Sequence, residues 1–260
     1  HMGPIGAALG TTVSQSVSVL IALISMKYRT SDIHIKKEDL HLQPQVFKQI
    51  LKVGFPVAIQ DGCIQVAFII ITIIANSRGL NDAAAVGIVE KMITAIFIIP
   101  STMLATVSAL SAQNIGAKDY GRARAVLKYA VMITTLYGII VALIVEFCAP
   151  TLLGLFTKDT TVILLGVQYI SSYIIDTIFA GIHFSFSGYF AADGKSYIGF
   201  IHNIISISLV RVPGSYIASI MYPHNLFPMG LAAPLGSVLS VIICLIAYCI
   251  LKKKDELSVL

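Results

Sequence analysis

The chain has 260 residues, 57% hydrophobic and only 12% charged, with a net charge of +5 and a mean hydropathy of +0.86. A soluble domain carries about 25% charged residues, so a water-soluble globule is excluded, because too little polar surface exists to cover one. The basic residues sit at the ends of apolar runs rather than in one patch, which argues against a nucleic-acid binder.

In chain order, His1-Met2 reads as a vector scar. Seven apolar runs follow, each near the ~20 residues that cross a bilayer as a helix. The first covers residues 3–26 and carries no charge. A polar stretch, 27–46, reads as a cytoplasmic linker. Six further spans are predicted over 53–76, 83–112, 125–149, 162–191, 197–222 and 228–251, forming a lobe over 47–251, with a cytoplasmic tail at 252–260. No run shows the apolar/polar alternation of a membrane barrel. The expectation is an all-α polytopic membrane protein of about seven transmembrane helices. With residue 27 cytoplasmic, only Arg78 and Lys158 of the loop cations fall outside, so the positive-inside rule puts the C-terminus in the cytoplasm; the plasma membrane is the expected location.

Cys63, Cys148, Cys244 and Cys249 stand singly in apolar surroundings and read as small core residues. No His, Cys or carboxylate spacing suggests a metal, and no catalytic constellation suggests an enzyme. His183 and His202 fall in apolar segments and read as bonded structural histidines.

Charges inside the spans carry the functional information, because a charge at that depth is costly unless it faces a cavity or a partner. Asp61 lies about 13 Å in from one end and Glu90 about 12 Å in from the other, by helical rise, so both fall near the midplane. Asp176 and Arg211 are also deep, and Arg211 on the following span is a candidate partner for Asp176. Lys91 is about 100° round the helix from Glu90, which predicts that the two face different surroundings. The deep acids Asp61, Glu90 and Asp176 outnumber the deep bases Lys91 and Arg211. The surplus carboxylate must hold a cation, a proton or a cationic substrate. Asp61 and Glu90 are therefore the candidates for ion or proton coupling. Gln60, Gln65, Asp176 and Tyr173 are candidates for substrate contact. Gln60 and Gln65 could equally join helices, and Tyr173, Phe97 and Met103 could equally be packing.

Laying the first span on the last aligns Pro4 with Pro228, Gly6 with Gly230, Ala8 with Ala232, and Ser16-Val17 with Ser240-Val241. This suggests that residues 3–26 are the last helix of a preceding lobe, and repeated lobes around a central site are a transporter pattern.

Several segments resemble the multidrug and toxic compound extrusion (MATE) family. Leu51-Lys52-Val53-Gly54-Phe55-Pro56-Val57-Ala58-Ile59-Gln60 is similar to the opening of its seventh helix. Ala112-Gln113-Asn114-Ile115-Gly116-Ala117 with Arg122-Ala123-Arg124 resembles the loop after the eighth, with Gly116 serving the turn. Leu155-Phe156-Thr157-Lys158-Asp159 resembles the segment before the tenth, and Arg211-Val212-Pro213 with Tyr216 the eleventh. Pro56, Lys91, Gln113, Asn114, Gly116, Arg211 and Pro213 take structural roles in this reading. The resemblance implies helices six to twelve of a twelve-helix, two-lobe exporter. Such an exporter would have no bound cofactor and would exchange amphipathic or cationic drugs for Na+ or H+. Its partners are those drugs, the bilayer and the first lobe. The acids of the Na+-coupled branch would fall at Ile64 and near Ala180, whereas Asp61 and Asp176 stand about one turn earlier. A lipid-linked precursor flippase of the same superfamily and an inactive half-transporter are the alternatives. The first would need a strongly cationic cavity.

Overall fold

The computed structural model describes residues 3–28 and 43–257; the expected scar, most of the linker and the end of the tail lie outside them. The chain forms two compact units, residues 1–47 and 48–260. The first contains α1 (Gly3–Tyr28), free of charge before Lys27. The second is helical throughout, and no strand occurs among the described residues.

α2 (Pro44–Arg78) begins inside the stretch expected to be linker, with proline as its first residue, where a missing N–H costs nothing. It buries one stripe, Gln60, Ala67, Ile71, Ile74 and Ala75. Gly79 alone joins it to α3 (Leu80–Ile96), with φ 131° and ψ 170°, a region essentially closed to other residues. Arg78 clasps this corner, bonding Asp82 at 2.6 Å and donating to the carbonyls of Ser219, Tyr222 and Pro223.

The expected span 83–112 is one membrane-length unit, Leu80–Gly116, broken at Phe97 between α3 and α4 (Ile98–Gly116). Pro100 explains the break, because it has no N–H for the Ile96 carbonyl and its ring crowds that oxygen. Tyr137 fills the gap by donating its hydroxyl to Ile96 O at 2.9 Å. Gln113, Asn114 and Gly116 are the last helical turn of α4 rather than a loop. Gly116 also does not take the left-handed turn position; Lys118 does, at φ 61°. Asp119 then caps α5 (Tyr120–Gly154) by accepting from the Arg122 N–H.

After α6 (Thr160–Tyr173), capped by Asp159, the chain bends by 42° into α7 (Asp176–Ala192), so the run 162–191 is one bent span and not a straight helix. α7 is buried nearly all round and forms the axis of the bundle. Small residues let its neighbours approach, as in lipid-embedded bundles. A Cβ at Gly181 would meet Thr134 Cβ of α5 at 2.6 Å, and one at Gly188 would strike the Leu104 backbone of α4, whose Cα lies at 3.2 Å. Gly188→Ala is accordingly expected to cost about 2–4 kcal/mol through overpacking against backbone that cannot yield. A fall in the heat-denaturation midpoint in detergent checks this, and an unchanged midpoint contradicts it.

α8 (Tyr197–Ser206) continues through a π-turn, Ile207–Arg211, into α9 (Val212–Met221). The wide turn, closed by Val212 N–H to Ile207 O, comes just before Pro213, which cannot continue an ordinary helical ladder. α10 (Phe227–Leu257) runs on through residues expected to be tail. Among the described residues, five helical stretches are long and apolar enough to cross a membrane, α3–α4 and α8–α9 each counting as one, and the bent pair makes a sixth. Outward residues such as Tyr129, Leu136, Leu143 and Phe147 of α5 are exposed, an apolar surface suited to hydrocarbon.

Two apolar cores hold the lobe. One gathers Ile71, Val86, Ile93, Val145, Tyr169, Ile170 and Met229. The other gathers Val107, Leu127, Phe186, Tyr189, Phe190 and Cys244. Along the helices, a buried polar layer lies between them, containing Asp176, His183, His202, Asn203, Arg211 and Ser237. Of the four cysteines only Cys244 is a core residue; Cys148 and Cys249 are exposed, and Cys63 is half-buried in an apolar groove between α2 and the stretch around Ile204 and Ile207.

Candidate functional site

Two polar places occur in the middle of the lobe. The first is a cavity of about 590 Å³ lined by α2, α3, α4 and Phe184 of α7. α2 contributes Asp61, Ile64, Gln65 and Phe68, a set spaced three or four residues apart and so on one face. α3 and the start of α4 contribute Glu90, Lys91, Ile93, Thr94, Ile98 and Ser101, with Phe97 at the break. The cavity thus holds two carboxylates, one ammonium, a primary amide, two hydroxyls and three phenyl rings.

Glu90 is bound by Thr72 Oγ1 at 3.0 Å. The same hydroxyl lies 2.9 Å from the Phe68 carbonyl. A threonine has one proton to give, so the two acceptors compete for it. Thr72 lies eleven residues beyond Asp61, on the same helical face, which is the signal that could have singled it out.

The second place is a sealed ion pair. Arg211 Nη2 meets Asp176 Oδ2 at 2.5 Å, with Asp176 fully buried and Ser237 beside it. Asp176 does not face the cavity, so the expected substrate contact there is corrected: the guanidinium and the surrounding helices close it off. His202 is bonded to Ser187 at 2.9 Å and meets His183 edge-on, with ring centroids 5.4 Å apart.

Three other expectations change. Gln60 is buried about a quarter-turn round α2 from the centre of the cavity face, against Gly199, because the absent side chain at 199 leaves room for the amide. Tyr173 is a core residue packed on Tyr169, with no access to the cavity. Lys91 and Glu90 do not face different surroundings; the cavity is wide enough to take neighbours 100° apart. Phe97 lines the cavity, whereas Met103 packs on the core around Phe186. Ile64 lines the cavity and Ala180 is buried, so the two positions at which the resemblance to the Na+-coupled branch would place acids are both apolar.

The MatE family model matches residues 56–217. The chain belongs to the MatE family. It is 19% identical over 260 residues to the probable multidrug resistance protein YoeA of Bacillus subtilis, covering 99% of this chain and 56% of that protein. It is 22% identical over 240 residues to the human multidrug and toxin extrusion protein 1, covering 89% of this chain and 40% of that one. The MatE chain thus spans about half the length of the curated relatives it matches. Its fold matches a crystal structure of MATE in complex with MaL6, with a TM-score of 0.85 at 18% identity over 97% of this chain and 58% of that one. It also matches a MOP superfamily transporter from Pyrococcus furiosus described by the reverse polarity of its binding pocket, with a TM-score of 0.83 at 18% identity over 92% and 54% of the two chains. The fold is therefore shared with somewhat more than half of each of these two chains.

Proposed function

We propose that this chain forms one wall of a secondary active multidrug exporter of the plasma membrane, with its C-terminus in the cytoplasm. In this reading the whole protein extrudes amphipathic or cationic compounds in exchange for Na+ or H+ by alternating access. The supporting observation is the charge balance of the cavity: Asp61 and Glu90 face Lys91 alone, since Asp176 is neutralised by Arg211. One carboxylate is left to hold a cation. The phenyl rings of Phe68, Phe97 and Phe184 supply faces on which a flat or lipophilic cation can rest.

Glu90 is the coupling group in this reading, and Thr72 follows its state. When Glu90 is an anion, the Thr72 hydroxyl turns to it. When a proton or ion neutralises Glu90, the hydroxyl returns to the Phe68 carbonyl, adding a side-chain bond to an oxygen that the α2 ladder already uses. Asp61, more exposed on the same wall, meets the substrate first. Occupation by the ion and by the drug then exclude each other, because one surplus charge cannot hold both. The flippase alternative is opposed by two carboxylates against one lysine. Because this fold also occurs with a pocket of reverse polarity, the residues and not the fold carry this choice.

The test is uptake of tetraphenylphosphonium into vesicles containing the full-length protein, with Na+ and H+ gradients imposed separately. Uptake under one gradient is expected and names the ion. Uptake under neither would remove the exporter reading and favour the flippase.

A further inference from the structure

Behind the Asp61–Glu90 cavity lies a second chamber of about 30 Å³. Ile64, Phe68, Phe97 and Phe184 line both spaces, so the two adjoin through an apolar neck. The polar wall of the small chamber is His183, Asn203, Ser206, Arg211, Ser237 and Ser240. A space of this size admits a monatomic ion or a water or two, since one water needs roughly 10–15 Å³ by the same measure. A polyatomic anion or an organic group does not fit.

The groups on the wall decide the sign of the occupant. The guanidinium of Arg211 is the only formal charge among the lining residues, and its Nη2 is already given to Asp176, which does not line the space. Three nitrogen atoms on the wall have no partner: Arg211 Nε, Asn203 Nδ2 and His183 Nδ1. They belong to residues only 8%, 6% and 6% exposed. The first two can only donate, and the third donates in one of its neutral tautomers. The hydroxyls of Ser206 and Ser240 already give their protons to the carbonyls of Gly236 and His202. A cation would meet the guanidinium directly, because the Asp176 carboxylate that balances it, with an unpartnered Oδ1 of its own, lies outside the lining. Unused N–H groups beside a guanidinium, at this size, match an occupant that only accepts.

We propose that the chamber binds a single monatomic anion of chloride size, held by Arg211 Nε–H and Asn203 Nδ2–H with His183 as a third donor. The anion lies between the ion pair that fixes the π-turn and the neck that opens on the transport cavity. Its presence ties the packing of α7, α8 and α10 to the halide supply. The assignment is independent of which ion drives transport.

The decisive experiment is diffraction from crystals of the full-length protein grown in bromide. An anomalous peak within hydrogen-bonding distance of Arg211 and Asn203 is expected. Density that refines as water, with no anomalous signal, overturns the proposal, and this reading needs no variant. In solution, exchanging gluconate for chloride at fixed ionic strength should raise the heat-denaturation midpoint saturably, by roughly 5 °C when the site is filled. Asn203→Leu should lose at least half of that rise. A variant that folds and keeps the whole rise overturns the assignment of Asn203.

Discussion

Replacing Arg211 with methionine is expected to destabilise the lobe by about 3–5 kcal/mol, because it leaves a fully buried carboxyl group without its partner. The pair itself contributes little relative to apolar residues of the same volume, since desolvation of both groups offsets their attraction. The double variant Arg211→Met with Asp176→Leu should therefore recover most of the lost stability. Heat-denaturation midpoints of the wild type, both single variants and the double variant, measured in one detergent, make the comparison. If the Arg211→Met protein were as stable as the wild type, the sealed pair could not be organising this layer. The geometry adds a reason to expect a large effect. Arg211 ends the π-turn, so its side chain links the irregular stretch of α8–α9 to the first residue of α7.

Removing the Asp61 charge is expected to weaken binding of a lipophilic cation by about tenfold, or about 1.4 kcal/mol. A unit charge about 5 Å from the ligand contributes roughly 1–3 kcal/mol at the effective dielectric of a partly wet cavity, which sets that scale. Asp61→Asn keeps the shape and the hydrogen bonding, so the loss reports charge. Gln60→Ala and Tyr173→Phe serve as controls on the same or neighbouring elements. Both positions are buried away from the cavity, and neither change should alter the affinity. Equilibrium binding of tetraphenylphosphonium to the full-length protein gives the three values. Equal losses in Asp61→Asn and Gln60→Ala would mean that α2 presents another face to the ligand.

Much of this arrangement is legible in the sequence because apolar helices count reliably. Nine residues from Lys52 to Asp61 and eight from Asp82 to Glu90 give similar depths, and one cavity contains both acids. The resemblance carried by Gly54-Phe55-Pro56 and Gln113-Asn114-Ile115-Gly116 identifies the family that the comparisons show. What a single sequence does not disclose is which face of a helix meets which neighbour. Gln60 and Gln65 look alike along α2, yet a glycine at 199, on another helix, draws one of them into the packing. Tyr173 ends α6 beside a bend that no proline or glycine marks, so its burial depends on a change of direction set by tertiary packing. The adjacency of Glu90 and Lys91 argued for separate faces, but the width of a cavity is a property of several helices at once. Pro100 and Pro213, by contrast, announce their breaks locally, and both appear as a lost helical bond and a wide turn.

The central claim is that the Asp61–Glu90 cavity, and not the buried Asp176, holds the driving ion. The most direct test is gradient-driven uptake of tetraphenylphosphonium into vesicles containing the full-length protein, comparing wild type with Glu90→Gln. The expected result is a loss of driven uptake of tenfold or more, with the protein still folded and still binding the cation at equilibrium. Driven uptake at the wild-type rate in Glu90→Gln would contradict the claim and move the coupling site elsewhere in the protein.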